Sequence, residues 1–205
     1  LAIGSPDADG ARSLVIHSRP EDADEGLPWT RHATGVLEPD SYVPAPEAGQ
    51  WPPEGAVALD LGEPYETLGE RGYGYGPVFR GLRTAWQLGD EVFAEVELPE
   101  QARRDAARFG LHPALLDAAL HAIGFTGALA GSGADDPGAA GSPLLPFSWN
   151  GVRLHASGAT ALRVRLTPSA TGSVSIAHAD PLGEPVATVD SLALRPFAAP
   201  DTAAD

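Results

Sequence analysis

"GLHPALLDAALHAIGF" (Gly110–Phe125) is the stretch on which the fold of this chain turns. His112-Pro113 sets the start of a helix, because proline is tolerated in a first turn, where its missing N–H costs nothing. Leu116, Ala119, Leu120 and Ile123 then follow the i, i+3, i+4, i+7 spacing of an amphipathic helix. Asp117 and His121 stand together at the edge of that stripe, one turn apart. A helix enclosed by a sheet buries both, and a desolvated carboxyl keeps its proton toward neutral pH, as a general acid requires. His121 is then placed to hold the carboxyl by a hydrogen bond. The plainer reading is a polar pair that satisfies itself at a partly wet edge, and spacing alone favours it.

Upstream of this helix, "RGLRTAWQLGD" and "EVFAEVELP" read as two strands joined at Gly89-Asp90. Val92, Ala94, Val96 and Leu98 alternate with acids, the period-2 pattern of a half-buried strand. Downstream, "TGALAGSGADDPGAAGSP" reads as a mobile loop. Four strand-like runs follow it: "PFSWNGVRLHA", "ALRVRLTP", "GSVSIAHAD" and "PVATVDSLALRPF". One apolar helix among antiparallel strands predicts an α+β unit over residues 56–198, with a sheet wrapped around the helix. Residues 199–205 read as a tail. Nearer the N-terminus, "ARSLVIHS" and "WTRHATGVL" predict a hairpin within residues 1–37, too small to stand alone in water. Residues 38–55, with five prolines, read as an extended linker.

Composition narrows the function. The net charge of −15 comes from 28 acids against 13 basic residues, all arginine, and a surface of that sign repels nucleic acid and anionic membranes. With no cysteine there is neither a disulfide framework nor thiol chemistry. No apolar run is long enough to span a bilayer and the N-terminus is not a signal peptide, so a cytoplasmic setting is expected. The absence of methionine predicts that Leu1 is not a translational start and that the chain derives from something longer.

Other chemistry-bearing residues carry less on their own. "GYGYGPVF" (Gly72–Phe79) lacks the order of a phosphate-binding loop, but a glycine turn can bring a backbone N–H and the hydroxyl of Tyr73 or Tyr75 to a ligand. Taken alone, it reads as a tight turn with packed aromatics. His17, His32, His155 and His178 lie in strand-like runs without a second ligand at metal spacing and read as structural or surface residues. Arg103, Arg104 and Arg108 read as a solvated helical face rather than a cationic docking patch.

Three motifs taken in order change the balance. "GYGYGPVFRGL", "HPALLDAALH" and "LPFSW" (Leu145–Trp149), spread over Tyr65 to Phe197, resemble the C-terminal part of a dehydratase domain from a modular type I polyketide synthase. The resemblance implies a hotdog fold, an antiparallel sheet wrapped around a central helix, as part of a double hotdog in which residues 1–37 are the last strands of the first half. It implies dehydration of a β-hydroxyacyl thioester to an α,β-unsaturated one. The substrate is carried on the phosphopantetheine of an acyl carrier protein, with no other cofactor and no metal. By the same resemblance Asp117 is the catalytic acid, and His121 and Tyr75 orient it. Gly76, Pro77, Phe79, Leu145 and Pro146 contact substrate. Partners are the carrier protein and other synthase domains, with a homodimer allowed.

One departure stands out. The family's basic histidine sits in H-x-x-x-G-x-x-x-x-P, and none of the six histidines satisfies it: His32, His121 and His155 have glycine one position early. The base is therefore expected to be missing from this chain. Two rivals remain, a non-catalytic dehydratase-like scaffold or docking segment, and a double-bond isomerase or pyran-forming variant of the same fold.

Overall fold

The structure, a computed structural model, describes residues 1–24, 26–40, 42, 49–70, 72–126 and 143–197. The glycine-rich stretch after Thr126 and the tail read from the sequence lie outside the described residues. The chain divides into two compact units, Leu1–Val43 and Pro44–Asp205.

The first unit is a three-stranded antiparallel sheet of β1 (Ala2–Ile3), β2 (Arg12–Ser18) and β3 (Thr30–Leu37), in that order. The expected hairpin is β2–β3, in which Leu14 pairs with Gly35 and Val15 with Thr34. Both faces stay largely open, and Trp29, Val36 and Leu37 are exposed.

Among the described residues the second unit is built on seven strands: β4 (Val57–Ala58), β5 (Leu82–Leu88), β6 (Glu91–Glu97), β7 (Leu144–Leu154), β8 (Ala161–Pro168), β9 (Val174–Ala179) and β10 (Pro185–Pro196). They form one antiparallel sheet in the order β4-β5-β6-β8-β9-β10-β7. Its helices are α1 (Pro64–Glu70), α2 (Glu100–Arg103) and α3 (Pro113–His121). The chain leaves β6 in the middle of the sheet, runs through α2 and α3, and rejoins the sheet as the edge strand β7. This α+β arrangement of one helix held by an antiparallel sheet is the hotdog fold.

Alternation in β6 does what the sequence predicts. Val92, Ala94, Val96 and Leu98 are all buried, facing α3 together with Leu162, Val164 and Leu166 of β8. Each such side chain contributes roughly 1–3 kcal/mol by leaving water. The turn at Gly89 has φ +59°, a conformation that glycine adopts without strain. Phe93 is also buried, which alternation does not anticipate. Its cover is Trp51, from the proline-rich stretch, whose indole lies edge-on to Phe93 at 5.6 Å and donates from Nε1 to Glu95 Oε1 at 3.0 Å. The end of the stretch read as a linker is thus packed on the outer face of the sheet.

The helix starts where His112-Pro113 predicts. His112 is the N-cap and its Nδ1 accepts the Ala114 N–H at 3.2 Å. The expected apolar stripe needs correction. The fully buried face is Ala114, Leu115, Ala118, Ala119 and Ala122, whereas Leu116 and Leu120 are only partly buried at its flanks. Small side chains face the sheet because backbone approaches closely there. A Cβ at Gly81 would stand 2.8 Å from the Ala118 Cβ and 2.9 Å from the Glu97 carbonyl oxygen. Among the described residues no helix is long and apolar enough to cross a membrane.

Candidate active site

A cavity of about 330 Å³ opens beside the C-terminal half of α3. Its apolar wall includes Leu68, Leu120, Ile123, Leu145 and Leu194, and its polar groups are Tyr73, Tyr75, Asp117 and His121. β7 reaches the cavity at Leu144–Pro146. There the pairing of β10 with β7 shifts register between Ala193 and Leu194, and Leu194 lies opposite Pro146. Such a bulge re-aims a side chain, here into the cavity wall.

His121 Nε2 lies 3.2 Å from Asp117 Oδ2, the contact that the four-residue spacing predicts. Burial is unequal, contrary to expectation. The His121 side chain is 1% exposed, while that of Asp117, which also lines the cavity, keeps 35%. An aspartate at the rim of the helix stripe reaches solvent where the sheet does not close over it.

Tyr75 packs its ring on His121, with centroids 4.1 Å apart, and stacks on Tyr73 at 6.1 Å. Burial raises the pKa of its phenol, and the nearby charge of Asp117 pushes it further the same way. The group is a neutral hydroxyl at physiological pH, able to donate. Of the other residues in the motif, Gly76, Pro77 and Phe79 do not line the cavity. Gly76 caps a single 3₁₀ turn, Pro77–Phe79, and Phe79 is 38% exposed. They shape the loop that delivers Tyr75. Leu145 and Pro146 do line the cavity.

One residue escaped the sequence reading altogether. Tyr65, on α1, accepts the Leu82 N–H at its hydroxyl oxygen (2.8 Å), and that hydroxyl lies 3.3 Å from His121 Nδ1. Its ring is edge-on to both His121 and Tyr75. A tyrosine 56 residues upstream of His121 has no spacing signal that links the two.

None of the remaining candidates is among the residues that line this cavity. His32 bonds Ser18 Oγ, His155 bonds Thr188 Oγ1, and His178 is sealed in the core. Among the described residues, no three His, Cys, Asp or Glu side chains are grouped to hold a metal ion. Arg103 pairs with Glu97 and Arg108 with Asp105 at the surface, the solvated pattern expected of that cluster.

The family model described as "Polyketide synthase dehydratase N-terminal domain" matches residues 43–204. Polyketide synthase GfsB of Streptomyces halstedii is 53% identical over 217 residues, an alignment that takes in 100% of this chain and 4% of GfsB. A dehydratase structure from work on substrate selection in the borrelidin and fluvirucin polyketide synthases is 45% identical. It superposes with a TM-score of 0.83 over 96% of this chain and 65% of its own. A bifunctional dehydratase-cyclase domain from ambruticin biosynthesis is 36% identical, with a TM-score of 0.77 over 96% of this chain and 67% of its own.

Proposed function

The chain belongs to the polyketide synthase dehydratase family, and on that premise we propose that it carries the acid half of a dehydratase site acting on a β-hydroxyacyl thioester. The observation that carries this reading is the Asp117–His121 pair, braced by Tyr75, in the wall of a largely apolar cavity. Such a cavity suits an acyl chain, and Asp117, the carboxyl that lines it among the described residues, is available to protonate a hydroxyl on that chain.

In the reaction, a base removes the α-proton of the thioester. Electrons form the Cα–Cβ double bond, the Cβ–O bond breaks, and Asp117 delivers a proton to the departing hydroxyl, which leaves as water. His121 holds one carboxyl oxygen, and Tyr75 confines the imidazole and lines the cavity beside it. The base is not one of this chain's own histidines, none of which stands in the family's histidine motif. The acyl group arrives on the phosphopantetheine of an acyl carrier protein, with the other synthase domains as neighbours in a cytoplasmic assembly. By motif order we read residues 56–198 as the C-terminal hotdog of a double hotdog and residues 1–37 as closing strands of the first.

The test uses a 3-hydroxyacyl pantetheine thioester and the purified 205-residue chain. Backbone amide shifts are expected at Tyr75, Asp117, His121, Ile123 and Leu145, and mass spectrometry is expected to find no enoyl product. Lack of binding at these residues would overturn the functional reading. Turnover would overturn only the missing base.

Similarity to the dehydratase-cyclase domain supports a second reading, in which the same pair serves a pyran-forming variant. Product analysis with a substrate bearing a distal hydroxyl separates the two once a base is supplied. A scaffold without catalytic role predicts no thioester binding in the cavity.

A further inference from the structure

We propose that Tyr65 is a positioning residue that fixes the tautomer of His121 and so decides which oxygen of Asp117 can carry a proton. The role assigned to that proton rests on the dehydratase reading; the tautomer itself does not.

The Leu82 backbone N–H has one hydrogen, and it is given to the Tyr65 oxygen at 2.8 Å. The Tyr65 hydroxyl hydrogen is then free to be donated onward. Its neighbour is His121 Nδ1, at 3.3 Å. The phenol keeps that hydrogen at neutral pH because burial raises its pKa. A nitrogen that accepts carries no hydrogen, so neutral His121 holds its own on Nε2. That N–H points at Asp117 Oδ2, 3.2 Å away. With its side chain 1% exposed, His121 has little access to water that would support the other tautomer.

The two tautomers set Asp117 differently. With the hydrogen on Nε2, Oδ2 is occupied as an acceptor, and an added proton goes to Oδ1. That oxygen has no partner among the described residues and belongs to the carboxyl that lines the cavity. With the hydrogen on Nδ1, the Nε2 lone pair would draw a proton on Oδ2 into a hydrogen bond with His121, away from any substrate. A tyrosine on α1 thereby orients the acid without touching substrate. It resembles the second sphere of a metal-bound histidine, where the partner of one ring nitrogen sets the chemistry of the other.

The experiment is a long-range ¹H–¹⁵N spectrum of ring-labelled histidine in the 205-residue chain, wild type and Tyr65→Phe. Wild type is expected to show His121 with a clearly unprotonated Nδ1 and a protonated Nε2. In Tyr65→Phe the separation between the two resonances is expected to narrow, with Asp117 Oδ2 left to hold the hydrogen on Nε2 without help from the far nitrogen. A purely structural role for Tyr65 would lower stability and leave the ring resonances in place. Wild-type His121 protonated on Nδ1, or an unchanged pattern in Tyr65→Phe, overturns the proposal. If Tyr65→Phe does not fold, the wild-type spectrum decides. No thioester is present, so failure here is distinct from failure of the dehydratase reading, which shows as absent binding.

Discussion

The Tyr73 hydroxyl grips both backbone groups of Leu144, donating to the carbonyl oxygen at 2.9 Å and accepting from the N–H at 2.6 Å. Leu144 begins β7, the edge strand that brings Leu145 and Pro146 to the cavity. A single side chain 71 residues away in sequence thus pins the wall of the site to the glycine-tyrosine loop. Tyr73→Phe removes both bonds while keeping the ring stack on Tyr75. We expect a loss of about 1–3 kcal/mol in urea unfolding, since both backbone groups lose a partner where water has limited access. Thioester binding should weaken alongside. A midpoint unchanged from wild type would mean that β7 is held by its pairing with β10 alone.

Gly81→Ala tests how closely α3 lies on the sheet. The new methyl would collide with the Ala118 Cβ and the Glu97 carbonyl, neither of which is the end of a flexible side chain. Overpacking of this kind costs roughly 1–3 kcal/mol. Because Ala118 adjoins Asp117, the Asp117 and His121 resonances should shift as well. Ala118→Gly in the same chain relieves one of the two clashes and should restore part of the stability, a coupling that a double-mutant cycle reads directly.

His178 makes the fold acid-sensitive. It is completely buried on β9, Nδ1 lies 3.2 Å from the Ala187 carbonyl oxygen, and Nε2 has no partner among the described residues. Burial is the main cause that lowers its pKa to about 4 from 6.5, with the Ala187 contact opposing. Below pH 6.5 the unfolded chain binds a proton at this histidine while the folded one refuses it until about pH 4. Stability is therefore full above pH 6.5 and falls as pH drops from there to about 4, by on the order of 3 kcal/mol. His178→Leu should flatten that part of the profile relative to wild type. Parallel wild-type and variant curves between pH 6.5 and 4 would refute the assignment.

Much of the fold was readable because it rests on local rules. Proline after His112 starts α3, alternation in Val92–Leu98 marks the inner face of β6, and the Gly89-Asp90 turn joins β5 to β6. What the residues alone misread was the orientation of α3. The i, i+3, i+4 rule found an apolar stripe but not which side of it meets backbone, and the close approach at Gly81 selects alanines over Leu116 and Leu120. Phe93 was missed for a related reason: its cover, Trp51, comes from a stretch whose prolines argued for an open linker.

The candidate site divides along the same line. Asp117 and His121 are one helical turn apart, so the sequence by itself determined that they would meet, and motif order with Tyr75 and Leu145 determined which chemistry to expect. Only the tertiary structure decided that His121 is sealed while Asp117 stays open to solvent. It alone brought Tyr65 to the far nitrogen of His121, across 56 residues. Burial and long-range hydrogen bonds depend on how the sheet closes over the helix, and no spacing along the chain encodes that closure.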